Sequence, residues 1–299
     1  MSYLFPGVGL ELSGACNASC TFCAYGHGLR TDRTLTNIFT GDERPRAVGS
    51  MKTELIDALF EKHPINHVIF TGLTEPFLAP DKLFYVADKL EAKAAGAFTI
   101  YTNGNLLNRQ HVERLFTYRS FYSLHMSLHA VTDEMRQKMM RLDLAKAEEN
   151  MDLLLQLRRE AGREEVQLGV VMLQTDQNIQ QAPAFRERWG KKFEGFPNCL
   201  EPGVFNPTNW RGKSPTPWLK DLGPNYCQQW DCVMPTISVD GYIYQCCYSA
   251  DNIVGHCLDD GDLERWFTRK ELLGVVPGDA STIPERLCGG CSGKRAMAI

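Results

Sequence analysis

Between residues 8 and 206 short apolar runs alternate with segments of helical period, and this alternation narrows the possible folds more than any other feature of the chain. Residues 8–12, 68–70, 98–101, 121–127 and 166–173 read as buried strands, with 199–205 as a sixth. Helices are expected between them. One covers 51–62, where Leu55, Ile56, Leu59 and Phe60 are apolar, and others cover 81–95, 108–116 and 178–188. A further helix is marked by the 3.6-residue period of Leu144, Ala147, Met151, Leu154 and Leu155. Repeated strand–helix units build a parallel sheet, curved into a full or partial barrel. The expected class is α/β, a partial (β/α)6 TIM-like barrel over residues 1–206, followed by a small unit over 207–299.

The loops after the strands point to one working end. The first strand leads into Cys16, Cys20 and Cys23, the second into Gly72-Leu73-Thr74-Glu75-Pro76, and the third into Asn103-Gly104-Asn105. The fourth runs into Ser127-Leu128-His129 and the fifth into Gln174-Thr175-Asp176-Gln177-Asn178. Polar and glycine-rich residues thus gather at the C-terminal ends of the strands, where barrels of parallel strands build active sites. Past residue 206 the texture changes: 206–224 is rich in Pro, Gly, Asn and Ser, as a linker or long ordered loop is. Residues 236–239 and 242–245, joined by Asp240-Gly241, read as a hairpin, and a short helix is expected near 263–267.

The eleven cysteines are distributed unevenly: three at 16–23, none from 24 to 198, and eight between 199 and 291. No run of eighteen apolar residues spans a membrane, and residues 1–6 carry no basic region followed by an apolar run, so a cytoplasmic protein is expected. A reducing compartment argues against disulfides and for two metal sites, one near each end. A net charge of −4 and a pI near 6.0 give no reason to expect nucleic acid or an anionic membrane as partner.

Spacings of four and three bring Cys16, Cys20 and Cys23 to one side of a tight loop. Three thiolates are one short of a closed iron–sulfur or zinc site, which suggests a cluster with one iron free to bind a small molecule. Zinc with a fourth ligand such as His27, or buried structural thiols, are the alternatives on spacing alone. Near the other end, Cys232, Cys246, Cys288 and Cys291 supply four thiolates, enough for a closed site that is either an iron–sulfur cluster or a zinc ribbon. Cys227 or Cys257 are possible substitutes for one of them. Cys199 and Cys257 otherwise read as buried small hydrophobes.

The C-x3-C-x2-C pattern of Cys16, Cys20 and Cys23, with Phe22 just before the last cysteine, resembles the signature of the radical S-adenosylmethionine superfamily. The resemblance implies that these cysteines hold a [4Fe–4S] cluster whose fourth iron is chelated by the methionine moiety of S-adenosylmethionine. It further implies reductive cleavage to a 5′-deoxyadenosyl radical that abstracts hydrogen from substrate. Gly72, Thr74 and Glu75 lie in a segment similar to the one that binds the methionine amino group, although only Gly72, Glu75 and Pro76 agree with the family pattern. Asn103 and Ser127 sit where the family places ribose or carboxylate contacts. His129 is a neighbouring candidate, Arg141 would neutralise the carboxylate through its guanidinium fork, and Tyr25 would hold the adenine by its backbone. Cys232, Gly241 and Cys246 resemble the C-x(9–15)-G-x4-C of the SPASM and shorter Twitch modules, which implies one auxiliary [4Fe–4S] cluster completed by Cys288 and Cys291.

By the same resemblance the substrate is a ribosomally made peptide, with oxidation or epimerisation of an aminocyclitol or sugar as the alternative. A flavodoxin- or ferredoxin-type reductant is implied, and for a peptide a separate recognition protein. Cys247 is a candidate hydrogen donor to a substrate radical, and Arg211 a candidate substrate contact or base. A non-catalytic zinc-binding interaction protein is the reading from a different class.

Overall fold

The computed structural model describes residues 7–23, 34–71, 74–205, 234–245 and 251–272. In chain order its strands are β1 (Val8–Leu10), β2 (Thr34–Asn37), β3 (Glu43–Pro45), β4 (His67–Phe70), β5 (Ala97–Thr102), β6 (Phe121–Ser127), β7 (Gln167–Leu173), β8 (Gly203–Phe205), β9 (Thr236–Ile237), β10 (Tyr242–Tyr244) and β11 (Asn252–His256). The helices are α1 (Thr53–Lys62), α2 (Pro80–Glu91), α3 (Arg109–Thr117), α4 (Asp133–Met140), α5 (Leu144–Glu160), α6 (Ala182–Phe193) and α7 (Asp262–Leu272).

Six strands, β1-β4-β5-β6-β7-β8, run parallel and side by side. Their two-residue period decides which face is covered. Phe98 and Ile100 on β5, Leu124 and Met126 on β6, and Leu168, Val170 and Met172 on β7 alternate along their strands and are all buried. They share one core with Leu115 of α3, Leu154 of α5 and Trp189 of α6. Helix starts are set locally. Asn108, Thr132 and Asp143 accept backbone N–H bonds from His111, Met135 and Lys146 to cap α3, α4 and α5, and Pro80 opens α2, where its missing N–H costs nothing.

The other side of β1 is occupied by the C-terminal hairpin. β9 pairs parallel to β1, with Gly9 opposite Thr236, and β10 pairs antiparallel to β9. The turn between them needs Gly241: its φ is +90°, and an added Cβ would lie 2.3 Å from His256 Nε2. β11 continues the sheet and pairs with β2, which pairs with β3. The order is β3-β2-β11-β10-β9-β1-β4-β5-β6-β7-β8, an open sheet with β3 and β8 at its edges, resembling a partial barrel. The boundary expected after residue 206 falls in a segment outside the described residues, and on the far side of it the chain rejoins the barrel's own sheet.

A buried ionic contact fastens this join. Arg46 donates to Glu11 Oε1 (2.5 Å) and to the Tyr244 hydroxyl (3.3 Å), and that hydroxyl donates to Glu11 Oε2 (2.8 Å). Glu11 follows β1, Arg46 follows β3 and Tyr244 closes β10, so three non-neighbouring parts of the sequence meet there. Among the described residues no helix is long and apolar enough to cross a membrane.

Candidate active site

The loop carrying Cys16, Cys20 and Cys23 leaves the end of β1 and is held both by its own turns and by other elements. The Ser19 and Thr21 N–H groups donate to the Met140 and Met139 carbonyls at the C-terminus of α4 (2.9 and 2.8 Å). Glu75 N–H donates to the Ala15 carbonyl (3.3 Å), and Asn103 Nδ2 donates to Asn17 Oδ1 (2.7 Å). Ala18 and Phe22 pack with Met139, Met140 and Leu142, and the three cysteines lie against this apolar group.

The three cysteines line one cavity of about 280 Å³ together with Phe22, Thr74, Glu75, Asn103, Ser127 and His129. The ends of β1, β4, β5 and β6 therefore contribute to a single space, as the order of polar loops along the sequence predicts. Ala18, Thr71, Tyr101, Thr102, Met140 and Leu173 complete its wall and were not singled out by the sequence. Position at a strand end would have indicated Tyr101 and Thr102; nothing local marks Met140.

Glu75 is the anchor of the wall. Its Oε1 accepts from Phe77 N–H (3.2 Å) and the Thr102 hydroxyl (2.7 Å), and its Oε2 accepts from Asn103 N–H (2.8 Å). Burial pushes its carboxyl up to about 7 against the pull of these donors. The turn after Asn103 depends on Gly104, whose φ is +83° and whose absent Cβ would lie 2.5 Å from Met126 Sδ.

His129 is buried with a φ of 60°, a conformation few non-glycine residues adopt. Its Nδ1 accepts the Leu173 N–H (2.8 Å), which fixes the ring proton on Nε2. Burial, and then the charge of Arg136, pushes its pKa down to about 3, so the imidazole stays neutral. Its ring meets Phe22 edge-on at 4.8 Å.

Neither Arg141, to which the sequence pointed, nor Arg136 is among the residues lining the cavity. Arg141 is exposed at the end of α4 with a φ of 57°. The left-handed cap turns the chain outward at that residue. Arg136, one helical turn earlier, is fully buried. It donates to the Ser127 carbonyl (3.1 Å), the Leu128 carbonyl (2.7 Å), the Asn103 carbonyl (2.6 Å) and Asn105 Oδ1 (2.7 Å).

The charge balance of the cavity fits a bound cationic centre. Burial pushes the Cys16 thiol up to about 12, with Glu75 and Cys23 adding to it, and pushes Cys20 well above its ordinary value, with Cys23 and Cys16 adding to it. Thiolates this close to each other and to a buried carboxylate need positive charge between them, which a metal or an iron–sulfur cluster provides. Among the described residues no three His, Cys, Asp or Glu side chains close around a single ion. Tyr25, Gly72, Arg211, Cys227, Cys232, Cys246, Cys247, Cys288 and Cys291 lie outside the described residues. Cys199 is half-buried beside Arg158, and Cys257 is buried in the main core.

Comparison with known proteins is consistent with this geometry. No curated protein matches the chain. Among solved structures, native anSMEcpe with bound AdoMet superposes with a TM-score of 0.62 at 16% identity, over 95% of this chain and 88% of that one. BtrN in complex with AdoMet and 2-DOIA gives 0.54 at 15% identity, over 97% and 94%. Streptococcus suis SuiB bound to its precursor peptide SuiA gives 0.57 at 14%, over 88% and 64%. At these identities the likeness is one of fold. The family model of the radical SAM superfamily matches residues 10–184, more than half of the sequence, and the chain belongs to that superfamily.

Proposed function

We propose that this protein is a cytoplasmic enzyme that reductively cleaves S-adenosylmethionine and directs the resulting radical at a C–H bond of a ribosomally made peptide. The observation that carries this reading is the convergence of Cys16, Cys20 and Cys23 with Glu75, Asn103, Ser127 and His129 on one cavity. A [4Fe–4S] cluster on the three thiolates supplies, when bound, the electron that splits a carbon–sulfur bond of S-adenosylmethionine and yields a 5′-deoxyadenosyl radical.

The chain's own groups bind and orient. A carboxylate has about four lone-pair positions, and Glu75 fills three with Phe77, Thr102 and Asn103, leaving one to accept from an ammonium. The Ser127 hydroxyl and the Nε2–H of His129 are neutral donors suited to a carboxylate or a ribose. Phe22, Met140 and Leu173 make the cavity wall beside the thiols apolar.

Peptide substrates are supported by what two structural relatives hold: an anSMEcpe structure contains the Cp18Cys peptide and the SuiB structure the SuiA peptide. A small-molecule oxidation is the second reading. It is favoured by the near-complete mutual coverage with BtrN, 97% of this chain and 94% of that one, whose structure holds 2-DOIA. In either case the auxiliary cluster belongs to Cys232, Cys246, Cys288 and Cys291. Cys247 and Arg211 are the proposed substrate-side residues, and a flavodoxin- or ferredoxin-type protein is the reductant. A peptide would arrive with a separate recognition protein.

Anaerobic reconstitution tests the reading. Wild-type protein should carry about eight irons if both clusters are [4Fe–4S], and should release 5′-deoxyadenosine under dithionite. Cys16→Ala/Cys20→Ala/Cys23→Ala should keep about half that iron and release none. Reconstituted wild type that never cleaves S-adenosylmethionine would refute it. Deuterium passing into 5′-deoxyadenosine from a labelled precursor peptide, and not from a labelled aminocyclitol, would decide between the substrates.

A further inference from the structure

We propose that Arg136 is the residue that positions the S-adenosylmethionine contacts, by clamping the ends of β5 and β6 to each other; this rests on the cavity being the S-adenosylmethionine site. The Ser127, Leu128 and Asn103 carbonyls and Asn105 Oδ1, all neutral acceptors, take the guanidinium's hydrogen bonds from two separate loops. Two of these acceptors belong to Asn103 and Ser127, which are themselves among the residues lining the cavity.

Filling space does not explain an arginine there. The side chain is fully buried, and its Nε has no hydrogen-bond partner. A methionine would fill the volume without desolvating a charge, and three methionines already lie on this helix. What methionine lacks is a planar fork that reaches two loops at once. Strand ends of a parallel sheet present carbonyls with no strand partner, and Arg136 supplies donors to three of them.

The same helix registers the cysteine loop, since the Met139 and Met140 carbonyls receive the Thr21 and Ser19 N–H groups. α4 therefore fixes the thiols against the Asn103 and Ser127 loops, and Arg136 is the part of it that sets the cofactor side.

The test compares reconstituted wild type, Arg136→Met and Arg136→Lys by iron content, by the EPR spectrum of the reduced protein with and without S-adenosylmethionine, and by the Kd for S-adenosylmethionine from equilibrium dialysis. Arg136→Met is expected to load iron at the N-terminal trio as wild type does, yet bind S-adenosylmethionine about 10- to 100-fold more weakly. The spectral change on adding S-adenosylmethionine should shrink with it. Arg136→Lys should recover part of the affinity, because an ammonium donates to some of the same carbonyls. A residue that only supports the fold would lower iron content and Tm together and leave the Kd of the loaded fraction at the wild-type value; that result overturns the proposal.

If Arg136→Met does not fold, Asn105→Ala decides. It removes one acceptor of the clamp, together with the exposed bond from Asn105 Nδ2 to the Asp143 carbonyl (2.9 Å), and introduces no new buried group. A Kd raised by about threefold supports the proposal, and an unchanged Kd overturns it. Wild-type protein that binds no S-adenosylmethionine would refute the reading of the cavity instead, so the two failures are distinguishable.

Discussion

Asn150 sits in the middle of α5, almost fully buried, and its Nδ2 donates to two carbonyls of the loop after β5: Gly104 at 2.7 Å and Leu107 at 3.0 Å. Asn150→Leu keeps nearly the same shape and takes the donor away from both carbonyls. Losing the partner of a buried polar group costs about 1–3 kcal/mol, so two carbonyls set a gross loss of about 2–6 kcal/mol. Leucine returns about 0.5 kcal/mol of helix propensity and roughly 1 kcal/mol of apolar burial. The carbonyl term wins, and a net loss of about 2.5 kcal/mol is expected. Asn150→Asp sharpens the test, because a carboxylate there faces two carbonyl oxygens. Its folded-state pKa must then lie above the unfolded value of about 3.9, so the folded protein holds a proton that the unfolded chain releases. Stability of this variant falls as pH rises from about 3.9 to the folded pKa, and its deficit against wild type shrinks as pH is lowered through that range. Urea unfolding under anaerobic conditions, followed by the fluorescence of the buried Trp189 and Trp266, measures both effects. Asn150→Leu within about 0.5 kcal/mol of wild type would refute the reasoning, as would an Asn150→Asp deficit indifferent to pH.

Two further outcomes are expected. Arg46→Met should cost about 3–5 kcal/mol, because it breaks an ion pair with the fully buried Glu11, whereas Glu11→Met/Arg46→Met should recover part of that loss, the buried Tyr244 hydroxyl having lost both partners. The same urea unfolding measures both, and a double variant no better than the single one would count against the pairing. At alkaline pH, Tyr118 should add to the loss of stability. Burial, and then its bond to Asp88 (2.6 Å), pushes its hydroxyl up to about 12, so the folded protein keeps a proton that the unfolded chain gives up near 10. Stability should therefore decline as pH rises from about 10 to about 12, and more shallowly in Tyr118→Phe, read from urea midpoints across that range.

The six parallel strands were legible because each carries its own apolar run and each is followed by a polar loop, so no long-range contact is needed to recognise them. β2 and β3 were not. Leu35 is the only fully buried residue between them, and their place in the sheet comes from pairing with β11, more than two hundred residues away. Such pairing leaves no local period to read. β11 itself was missed for the same reason, while β9 and β10 were marked by the Asp240-Gly241 turn that joins them. The cysteine loop announced itself by composition, but its supports did not, since its anchors are backbone carbonyls of a helix far along the chain.

That helix, α4, is the instructive omission, and it bears on the choice between Arg136 and Arg141. Thr132-Asp133-Glu134 before Met135-Arg136-Gln137-Lys138-Met139-Met140 is a usable start signal, with a capping threonine and acidic residues in the first turn. The helix is hidden by its buried stripe: residues 136, 139 and 140 fall together at i, i+3 and i+4, and one of the three is charged. Apolar period alone therefore sees two methionines and stops. Without the helix there is no phase, and Arg136 and Arg141 are equal candidates; with it, Arg136 joins the methionines on the buried side while Arg141 falls on the left-handed cap. A cation inside an otherwise apolar stripe is costly to bury. Its presence means that acceptors wait on the other side, and here those acceptors are the ends of the two strands that carry Asn103 and Ser127. The charged member of the stripe was thus the clue to the site, once the helix was granted.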